Sequence, residues 1–327
     1  SSENWECREV LRVLPGRRLV VRAASVGEGG EQGTDVRERV LKLFFWSGHE
    51  RYFERERRGL SWLAAAALPV PEIAARLSGS GYSGLVIEYL SGAAGVQPGD
   101  QKAVEDVAAL LGRMHEAGLW QTDLHLKNFV KSPAGLFAID GDGVKQRANP
   151  VPAGRGFEDL ALLAAQRPPR EDGGAGGLLD AYAGARQGLE APSLAEFTAK
   201  LDRARRGRVT RYLKKSFRDC SEFSVTSDKA FRYFAVRGSG DRLLAQLKAD
   251  GRLAPGDAFL SAEAVKQGNS ATLVRIHGTP PVVIKRYNIK NLRQGIRRML
   301  RPLPRYRRAW MTGQLLHFLD MPTARPL

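Results

Sequence analysis

His115-Glu-Ala-Gly-Leu-Trp-Gln-Thr-Asp123-Leu-His-Leu-Lys-Asn128-Phe-Val is followed, after a short turn, by Leu136-Phe-Ala-Ile-Asp140-Gly-Asp-Gly143. The first part places an aspartate five residues before an asparagine, and the second is an apolar strand that ends in Asp-Gly. A phosphoryl-transfer site needs this order and spacing in its catalytic loop and in its metal-binding turn. The stretch therefore predicts the catalytic half of an ATP-dependent kinase.

Three side chains in this stretch have the chemistry that phosphate transfer requires. A hydroxyl that attacks the γ-phosphate must lose its proton, so the site needs a free carboxylate, which we assign to Asp123. Mg²⁺ neutralises the phosphate and prefers oxygen ligands, which we assign to Asn128 and Asp140, with Asp142 as a possible second carboxylate ligand. The alternative is that these residues only form turns, because Asp, Asn and Gly are common turn residues.

An upstream lysine and a glutamate are predicted to form an ion pair beside the nucleotide. Lys42 interrupts the apolar run Val40 to Phe45, and a lysine on a buried strand requires a partner. The next segment, Gly48 to Ala67, has a helical pattern that places Glu56 on the apolar face, whereas Glu54 points elsewhere. We therefore expect Lys42 to pair with Glu56 and to bind ATP. The alternative is that Lys42 reaches solvent from an edge strand while Glu56 pairs with nearby arginines.

Other contacts to the nucleotide are predicted from strands and turns. Gly16 lies at a turn between two strands that would cover the phosphates, although no G-x-G-x-x-G occurs there. The glycine-rich stretch Gly27 to Gly33 is more typical of a hairpin tip, because its two glutamates would repel ATP. The apolar strand that ends at Glu88 and Leu90 is the kind of segment whose backbone binds adenine.

Two histidines lie close to Asp123 in the sequence, one on each side of it. His115 closes the predicted helix Gln101 to Ala117, where a histidine more often caps or packs than catalyses. His125 lies two residues after Asp123, where it would either contact the transferred phosphate or brace the loop. We keep both alternatives for His125 and include it among the candidate catalytic residues.

Together these motifs resemble the protein-kinase-like superfamily. The resemblance is carried by Lys42, Glu56, Asp123 to Phe129 and Ile139-Asp140. Further segments resemble the lipopolysaccharide core kinases, which act on Kdo and heptose: Leu68 to Glu72, Phe157 to Leu163 and Arg211 to Phe223.

The resemblance implies a bilobal α+β fold, with an antiparallel-sheet amino-terminal lobe and a mainly helical carboxy-terminal lobe. It implies phosphorylation of a sugar hydroxyl on the lipopolysaccharide inner core, with ATP and Mg²⁺, in the cytoplasm at the inner face of the bacterial inner membrane. The sequence departs from protein kinases in two places. Thr122 replaces the arginine before the catalytic aspartate, so no cation there can clamp a phosphorylated loop. No phenylalanine follows Asp140, which resembles small-molecule kinases.

Charge is distributed unevenly along the chain. Residues 201 to 327 contain 27 Lys and Arg against 9 Asp and Glu, whereas residues 1 to 200 contain 24 against 26. The basic half favours an anionic partner, such as phosphorylated glycolipid or a membrane surface contacted peripherally. The alternative is a solvated basic face. Nucleic acid is disfavoured because aromatic residues are not interleaved with the cations.

Cysteine content and hydropathy indicate what kind of protein this is. Cys7 and Cys220 are too few for a disulfide framework, which agrees with a reducing cytoplasm. No apolar run approaches the length of a membrane span, and no signal peptide is evident.

Four segments are expected along the chain. These are an amino-terminal kinase lobe at 1–90, a carboxy-terminal lobe with the catalytic loop at 91–210, a basic connecting segment at 211–249, and an incomplete second kinase-like amino-terminal lobe at 250–327. Inside the helical lobe, the Gly/Pro-rich stretches Asn149 to Gly156 and Pro168 to Gly177 are predicted to be loops.

The second lobe is predicted from an internal repeat. Strand, glycine turn, strand and turn lead to Val282-Val-Ile-Lys285, as they lead to Lys42 in the first lobe. Leu319 to Leu327 parallels Leu68 to Ile73. No Asp or Glu lies between Lys285 and Asp320, so Lys285 has no helix glutamate to pair with, and binding of ATP by this lobe is doubtful.

Three functional hypotheses follow. The leading one is an ATP-dependent kinase that phosphorylates a heptose or Kdo hydroxyl. The second is a protein or small-metabolite kinase with the same catalytic residues. The third is a non-catalytic pseudokinase scaffold, which the poor glycine turn and the incomplete second lobe favour and the complete catalytic set opposes.

Overall fold

The structure is a computed structural model that describes residues 4–26, 37–227, 232–249, 264–276, 281–288 and 303–327. The chain divides into two compact units, Ser1–Arg205 and Arg206–Leu327. The predicted stretch Gly27 to Gly33 and most of the basic residues between Arg293 and Arg308 lie outside the described residues.

The first unit begins with a five-stranded antiparallel sheet and one helix. The sheet order is β1-β2-β3-β5-β4. The elements are β1 (Asn4–Leu14), β2 (Arg18–Val26), β3 (Glu38–Phe45), α1 (His49–Ala65), β4 (Ile73–Gly79) and β5 (Tyr82–Glu88).

The central position of β3 determines where Lys42 lies. Lys42 is paired with Val20 on β2 and with Leu85 on β5, so it stands in the middle of the sheet and not at an edge. The alternative of an edge-strand lysine that reaches solvent is therefore wrong.

Helix α1 packs on the sheet through the face that its periodicity predicts. Its buried residues are Glu56, Gly59, Leu60 and Leu63, which recur at three- and four-residue intervals. Leu60 forms an apolar cluster with Leu85 and Ile87 of β5. Burying this stripe fixes the helix, and with it Glu56, against the sheet.

The second part of the first unit is mainly helical, with short strands around the catalytic segments. The elements are β6 (Ala94–Gly95), α2 (Gln101–Glu116), β7 (Leu119–Gln121), a 3₁₀ turn (Leu126–Asn128), β8 (Phe129–Ser132), β9 (Gly135–Ala138), β10 (Val144–Gln146), α3 (Ala153–Ala164), a 3₁₀ helix (Pro169–Gly174) and α4 (Ala175–Gly184). Helix α5 (Leu194–Lys215) follows and contains both the observed division at residue 205 and the predicted boundary at residue 210.

The core of this lobe is built on α2. Asp100 caps the helix by accepting a hydrogen bond from the Ala103 N–H at 3.0 Å. Val104, Val107 and Leu111 along α2 are fully buried and belong to a single apolar cluster with residues of α3 and α4. The predicted α+β fold, with an antiparallel-sheet lobe followed by a helical lobe, is confirmed.

The prediction of loops at the two Gly/Pro-rich stretches holds for residues 149–152 and was wrong for most of the remainder. The first contains the start of α3, and the second contains the 3₁₀ helix and the start of α4. The glycines there permit close packing, since a Cβ on Gly156 would lie 2.0 Å from the Tyr182 hydroxyl and one on Gly177 would lie 2.2 Å from Glu105. Pro152 and Pro168 stand just before these helices, where their fixed φ is compatible with a helix start.

In the described part of the second unit there are two small antiparallel sheets and two further helices. The elements are β11 (Phe223–Ser227), β12 (Arg232–Val236), α6 (Ser239–Ala249), β13 (Ala264–Gln267), β14 (Ala271–Ile276), β15 (Val282–Tyr287) and α7 (Arg305–Phe318). Strands β13, β14 and β15 form one sheet in sequence order, and Lys285 on β15 is paired with Leu273 on β14.

Helices α1 and α7 end in the same way. In α1, Leu68 N–H donates to Leu63 O at 3.1 Å around Ala67 at φ 53°, and in α7, Met321 N–H donates to Leu316 O at 2.9 Å around Asp320 at φ 54°. The position seven residues before Leu63 is Glu56, and the position seven before Leu316 is Ala309. In the predicted repeat, Ala309 is therefore the counterpart of Glu56. That residues 250 to 327 form an incomplete second lobe stays a prediction.

Two remaining sequence features are placed by the structure. Cys7 is exposed, Cys220 is partly buried, and both are free thiols. Among the described helices, none is long and apolar enough to cross a membrane.

Candidate active site

Lys42 and Glu56 form a buried ion pair. Lys42 Nζ lies 2.6 Å from Glu56 Oε1, and the two side chains are 13% and 0% exposed. The same ammonium donates to Ile139 O at 2.6 Å. Glu54 instead pairs with Arg57 on the outer surface of α1 at 2.8 Å. The pair therefore joins β3 and α1 to the segment that carries Asp140.

The electrostatics of this pair extend to Asp140. Burial raises the pKa of Glu56, and the charge of Lys42 acts in the opposite direction. Burial tends to raise the pKa of Asp140, but the charge of Lys42 and a hydrogen bond from the Asp142 N–H together lower it by more. The net pKa of Asp140 therefore lies below its ordinary value. Asp140 is thus kept ionised, as a metal ligand must be.

Backbone and side-chain hydrogen bonds tie the catalytic loop to the metal-binding turn. Asn128 Nδ2 donates to Asp123 O at 2.8 Å, and Ile139 N–H donates to Asn128 O at 2.9 Å. Gln121 Nε2 donates to Asp140 O at 3.1 Å. The structure thus brings together Asp123, Asn128 and Asp140, with Asp123 exposed to solvent.

The donors around Asp140 suit Mg²⁺. The Asp140 carboxylate and the Asn128 amide oxygen are hard oxygen ligands, which this ion prefers. In the part of the chain that the structure describes, no group of three or more His, Cys, Asp or Glu side chains could hold a metal ion. A Mg²⁺ held by Asp140 and Asn128 would take further ligands from phosphate oxygens and water.

Asp142 is bound by two arginines. Arg55 Nε lies 3.0 Å from Asp142 Oδ1, and Arg55 Nη2 donates to Asp142 O at 3.2 Å. Arg18 Nη2 lies 3.7 Å from Asp142 Oδ2. The predicted role of Asp142 as a second metal ligand stays a prediction, in competition with these ion pairs.

The structure also places the other predicted contact residues. Gly16 has φ +66° in the turn between β1 and β2. Glu88 ends β5 and its N–H donates to Glu72 O at 2.8 Å, while Leu90 O accepts from Ala93 N–H at 3.1 Å. His125 Nδ1 accepts from Lys127 N–H at 3.2 Å, which braces the 3₁₀ turn, so the bracing alternative has a contact to support it.

Several supporting residues were missed by the sequence analysis. Arg18 and Arg55 hold Asp142, and Gln166 holds the catalytic loop by accepting from Leu126 N–H at 2.9 Å and donating to Leu124 O at 3.1 Å. Each comes from an element distant in sequence from the loop that it contacts. No local pattern signals such contacts.

Helix α1 and the metal-binding turn touch through two glycines. A Cβ on Gly59 would lie 2.0 Å from Gly141 O, and a Cβ on Gly141 would lie 2.3 Å from Glu56 O. Both contacts are with backbone, which cannot rotate away. The absence of side chains here is what lets Glu56 approach the segment around Asp140.

Gly59→Ala is therefore expected to destabilise the protein by about 1–3 kcal/mol or more, although alanine is the better helix former. Gly154→Ala on α3 is the matched control, because its added Cβ meets nothing within 4 Å, and we expect it to be neutral or stabilising by up to about 1 kcal/mol. Urea unfolding of both variants checks this. Equal stabilities would contradict the close approach.

His115 is a packing residue. It is fully buried, and its Nδ1 lies 2.8 Å from the Tyr182 hydroxyl. Burial, assisted by the charges of Arg186 and Arg155, lowers the pKa of His115 to about 3. The imidazole is therefore neutral at physiological pH and forms part of the core behind the catalytic loop.

This buried histidine predicts a pH dependence of stability. Its pKa falls from 6.5 in the unfolded chain to about 3 in the folded one, so its contribution is complete above pH 6.5 and is lost as pH falls below that value. Between pH 7.5 and 5.0 the wild type is expected to lose about 2 kcal/mol more stability than His115→Gln. Urea unfolding of the full chain at both pH values tests this, and parallel losses in the two proteins would refute it.

Comparison with protein families agrees with the geometry of this site. A family model described as the phosphotransferase enzyme family (APH) matches residues 31–222, more than half of the chain. The chain belongs to this family. The match includes Lys42, Glu56, Asp123, Asn128 and Asp140, so the phosphotransferase family assignment covers the cleft as well as the fold. The family match supports a phosphotransferase and does not specify the acceptor.

The chain was also compared with curated proteins and with solved structures. No curated protein matches the chain. Among solved structures, it is similar to the PknI kinase domain of Mycobacterium tuberculosis, with 19% sequence identity and a TM-score of 0.32. That similarity covers 62% of this chain and 86% of the PknI chain. Membership of the phosphotransferase family therefore rests on the family match.

Proposed function

We propose that this phosphotransferase transfers the γ-phosphate of ATP to a sugar hydroxyl of the lipopolysaccharide inner core, on heptose or Kdo. The main support for kinase chemistry is the Lys42–Glu56 ion pair at 2.6 Å. Lys42 also donates a hydrogen bond to Ile139 O, in the segment that contains Asp140. This arrangement places one cation and one ionised carboxylate at the same end of the cleft. ATP and Mg²⁺ are the cofactors that such a pair fits.

Each residue of the site has a defined task in this reaction. Lys42, oriented by Glu56, binds the α- and β-phosphates. Asp140 and Asn128 would hold Mg²⁺, which would neutralise charge on the phosphates. Asp123 accepts the proton of the sugar hydroxyl while the hydroxyl oxygen forms a bond to the γ-phosphorus. The bond between the γ-phosphorus and the β,γ-bridging oxygen breaks, and ADP leaves with that oxygen. Gln166 and His125 keep the loop that carries Asp123 in place.

The sugar acceptor is supported by sequence motifs and by charge. The segments Leu68 to Glu72, Phe157 to Leu163 and Arg211 to Phe223 resemble the lipopolysaccharide core kinases. The basic carboxy-terminal part suits an anionic glycolipid at the inner face of the inner membrane, contacted peripherally. This makes the cytoplasmic surface of that membrane the proposed site of action.

Radiolabelled ATP discriminates between the candidate acceptors. The wild type is incubated with [γ-³²P]ATP, Mg²⁺ and either dephosphorylated inner-core oligosaccharide or a generic protein substrate, with Asp123→Asn as the inactive control. We expect label on the oligosaccharide alone. Label on the protein alone would favour a protein kinase, and ATP binding without any transfer would favour a pseudokinase scaffold.

Mass spectrometry of lipopolysaccharide from cells with and without the gene extends the test to the living cell. The proposal predicts the loss of one phosphate from the inner core, and re-expression of the wild type, but not of Asp123→Asn, should restore it. An unchanged core would contradict the proposed acceptor.

A further inference from the structure

Arg18 lies on the cleft-facing side of β2, beside the phosphate end of the nucleotide site. Paired residues in an antiparallel ladder project to the same face of the sheet, and alternate residues of a strand share a face. Val20 is paired with Lys42, so Arg18, two residues before Val20, shares the face of Lys42. Arg18 itself is paired with Phe44 and its guanidinium lies 4.9 Å from the Phe44 ring centroid.

The turn that precedes Arg18 is poor in donors for phosphate. A glycine-rich phosphate loop binds through several backbone N–H groups. In this turn Pro15 has no N–H, and the N–H of Arg17 donates to Leu14 O at 2.9 Å. Only the N–H of Gly16 is left in the turn itself. Phosphates beneath it need a donor from elsewhere.

Arg18 makes only a loose contact with the carboxylate of Asp142. Its Nη2 lies 3.7 Å from Asp142 Oδ2, beyond hydrogen-bond distance, whereas Arg55 already contacts the same carboxylate at 3.0 Å. The Arg18 side chain is 13% exposed, so its charge is largely removed from water. A cation in this position gains from a stronger anionic partner.

The charges at this end of the cleft leave Arg18 available. Glu56 is paired with Lys42, Asp142 with Arg55, and Asp140 is assigned to Mg²⁺. Among the described residues at this end of the site, Arg18 is the cation left over.

We propose that Arg18 is a phosphate-binding residue that exchanges its contact with Asp142 for the terminal phosphates of ATP and so replaces the missing glycine-rich loop. This inference rests on the proposed ATP-dependent function. Lys42 then binds the α- and β-phosphates from β3, and Arg18 binds the terminal ones from β2. A charged hydrogen bond of this kind contributes about a 10- to 100-fold gain in affinity.

A series of ligands separates this role from a structural one. Dissociation constants for MgATP, MgADP, AMP and inorganic tripolyphosphate are measured by calorimetry on the full chain. The proteins are the wild type, Arg18→Ala, Arg18→Gln and Arg8→Gln. Arg18→Gln keeps the side-chain stem over Phe44 and guards against misfolding. Arg8→Gln is the control, because Arg8 is an exposed cation of the neighbouring strand paired only with Glu6 among the described residues.

We expect both Arg18 variants to bind MgATP and tripolyphosphate about 10- to 100-fold more weakly, to bind AMP like the wild type, and Arg8→Gln to show no change. Equal losses for AMP and MgATP would mean that Arg18 only supports the fold, and unchanged MgATP affinity would exclude a phosphate contact. Either result overturns the inference while leaving the kinase function intact. A wild type that binds no MgATP would overturn both.

Discussion

Asp123→Asn is expected to lower the rate of phosphate transfer by about 10²- to 10⁴-fold, the usual contribution of a general base, while the dissociation constant for MgATP stays unchanged. Asparagine has the shape of aspartate but cannot accept the hydroxyl proton. The side chain is exposed, and its neighbour Asn128 bonds to the backbone oxygen of residue 123 and not to the carboxylate. The loop should therefore keep its conformation.

Steady-state transfer and MgATP binding are both measured for this variant. Asp106→Asn is the matched control, because Asp106 is a surface carboxylate of α2 that pairs with Lys102 at 2.9 Å. We expect the control to retain full transfer. Undiminished transfer by Asp123→Asn would reject Asp123 as the base, and a parallel loss of MgATP binding would show that residue 123 acts on the fold of the site.

Asp140→Asn is expected to remove the dependence of ATP binding on Mg²⁺ and to reduce transfer by about 10³-fold or more, since a catalytic metal ion contributes several kcal/mol. The substituted amide oxygen can still accept the hydrogen bond that Asp142 N–H donates at 3.2 Å, so the turn should persist. What is lost is the ionised ligand, whose charge the lowered pKa of Asp140 maintains.

ATP affinity with Mg²⁺ and with a chelator provides the measurement. In the wild type Mg²⁺ should strengthen binding, and in Asp140→Asn the two affinities should coincide. Thermal unfolding of the variant serves as the control for folding. A variant that keeps the full Mg²⁺ effect would contradict the assignment of Asp140 as the metal ligand.

The sequence predicted which side chains would lie together at the candidate site because each has a local signal. Lys42 interrupts an apolar strand, Glu56 falls on the buried stripe of an amphipathic helix, and Asp123, Asn128 and Asp140 are close in sequence. Periodicity and spacing report such features directly. The two lobes of the first unit were predictable for the same reason.

Contacts between distant segments were not predictable in this way. Arg18 and Asp142 are separated by most of the first unit, and either could have been a solvated surface charge. Gln166 follows α3 and gives no sign that it binds the catalytic loop. Gly156 and Gly177 were misread because glycine signals a turn in the local sequence, whereas here it makes room for Tyr182 and Glu105.

The second unit resembles the first lobe in the order of its elements. Strands β13 to β15 and the end of α7 reproduce the order of elements and the helix terminus of the first lobe. In the predicted repeat, Ala309 is the counterpart of Glu56. That this unit contains an incomplete second kinase-like lobe stays a prediction.

The most direct test of the account is a crystal structure of the protein with Mn²⁺ in place of Mg²⁺ and a non-hydrolysable ATP analogue. Anomalous scattering locates the manganese without reference to the surrounding protein. The account predicts a manganese peak bound by Asp140 and Asn128, with Lys42 on the phosphates and Asp123 facing the γ-phosphate. A nucleotide bound elsewhere, or a metal ion remote from Asp140, would contradict it.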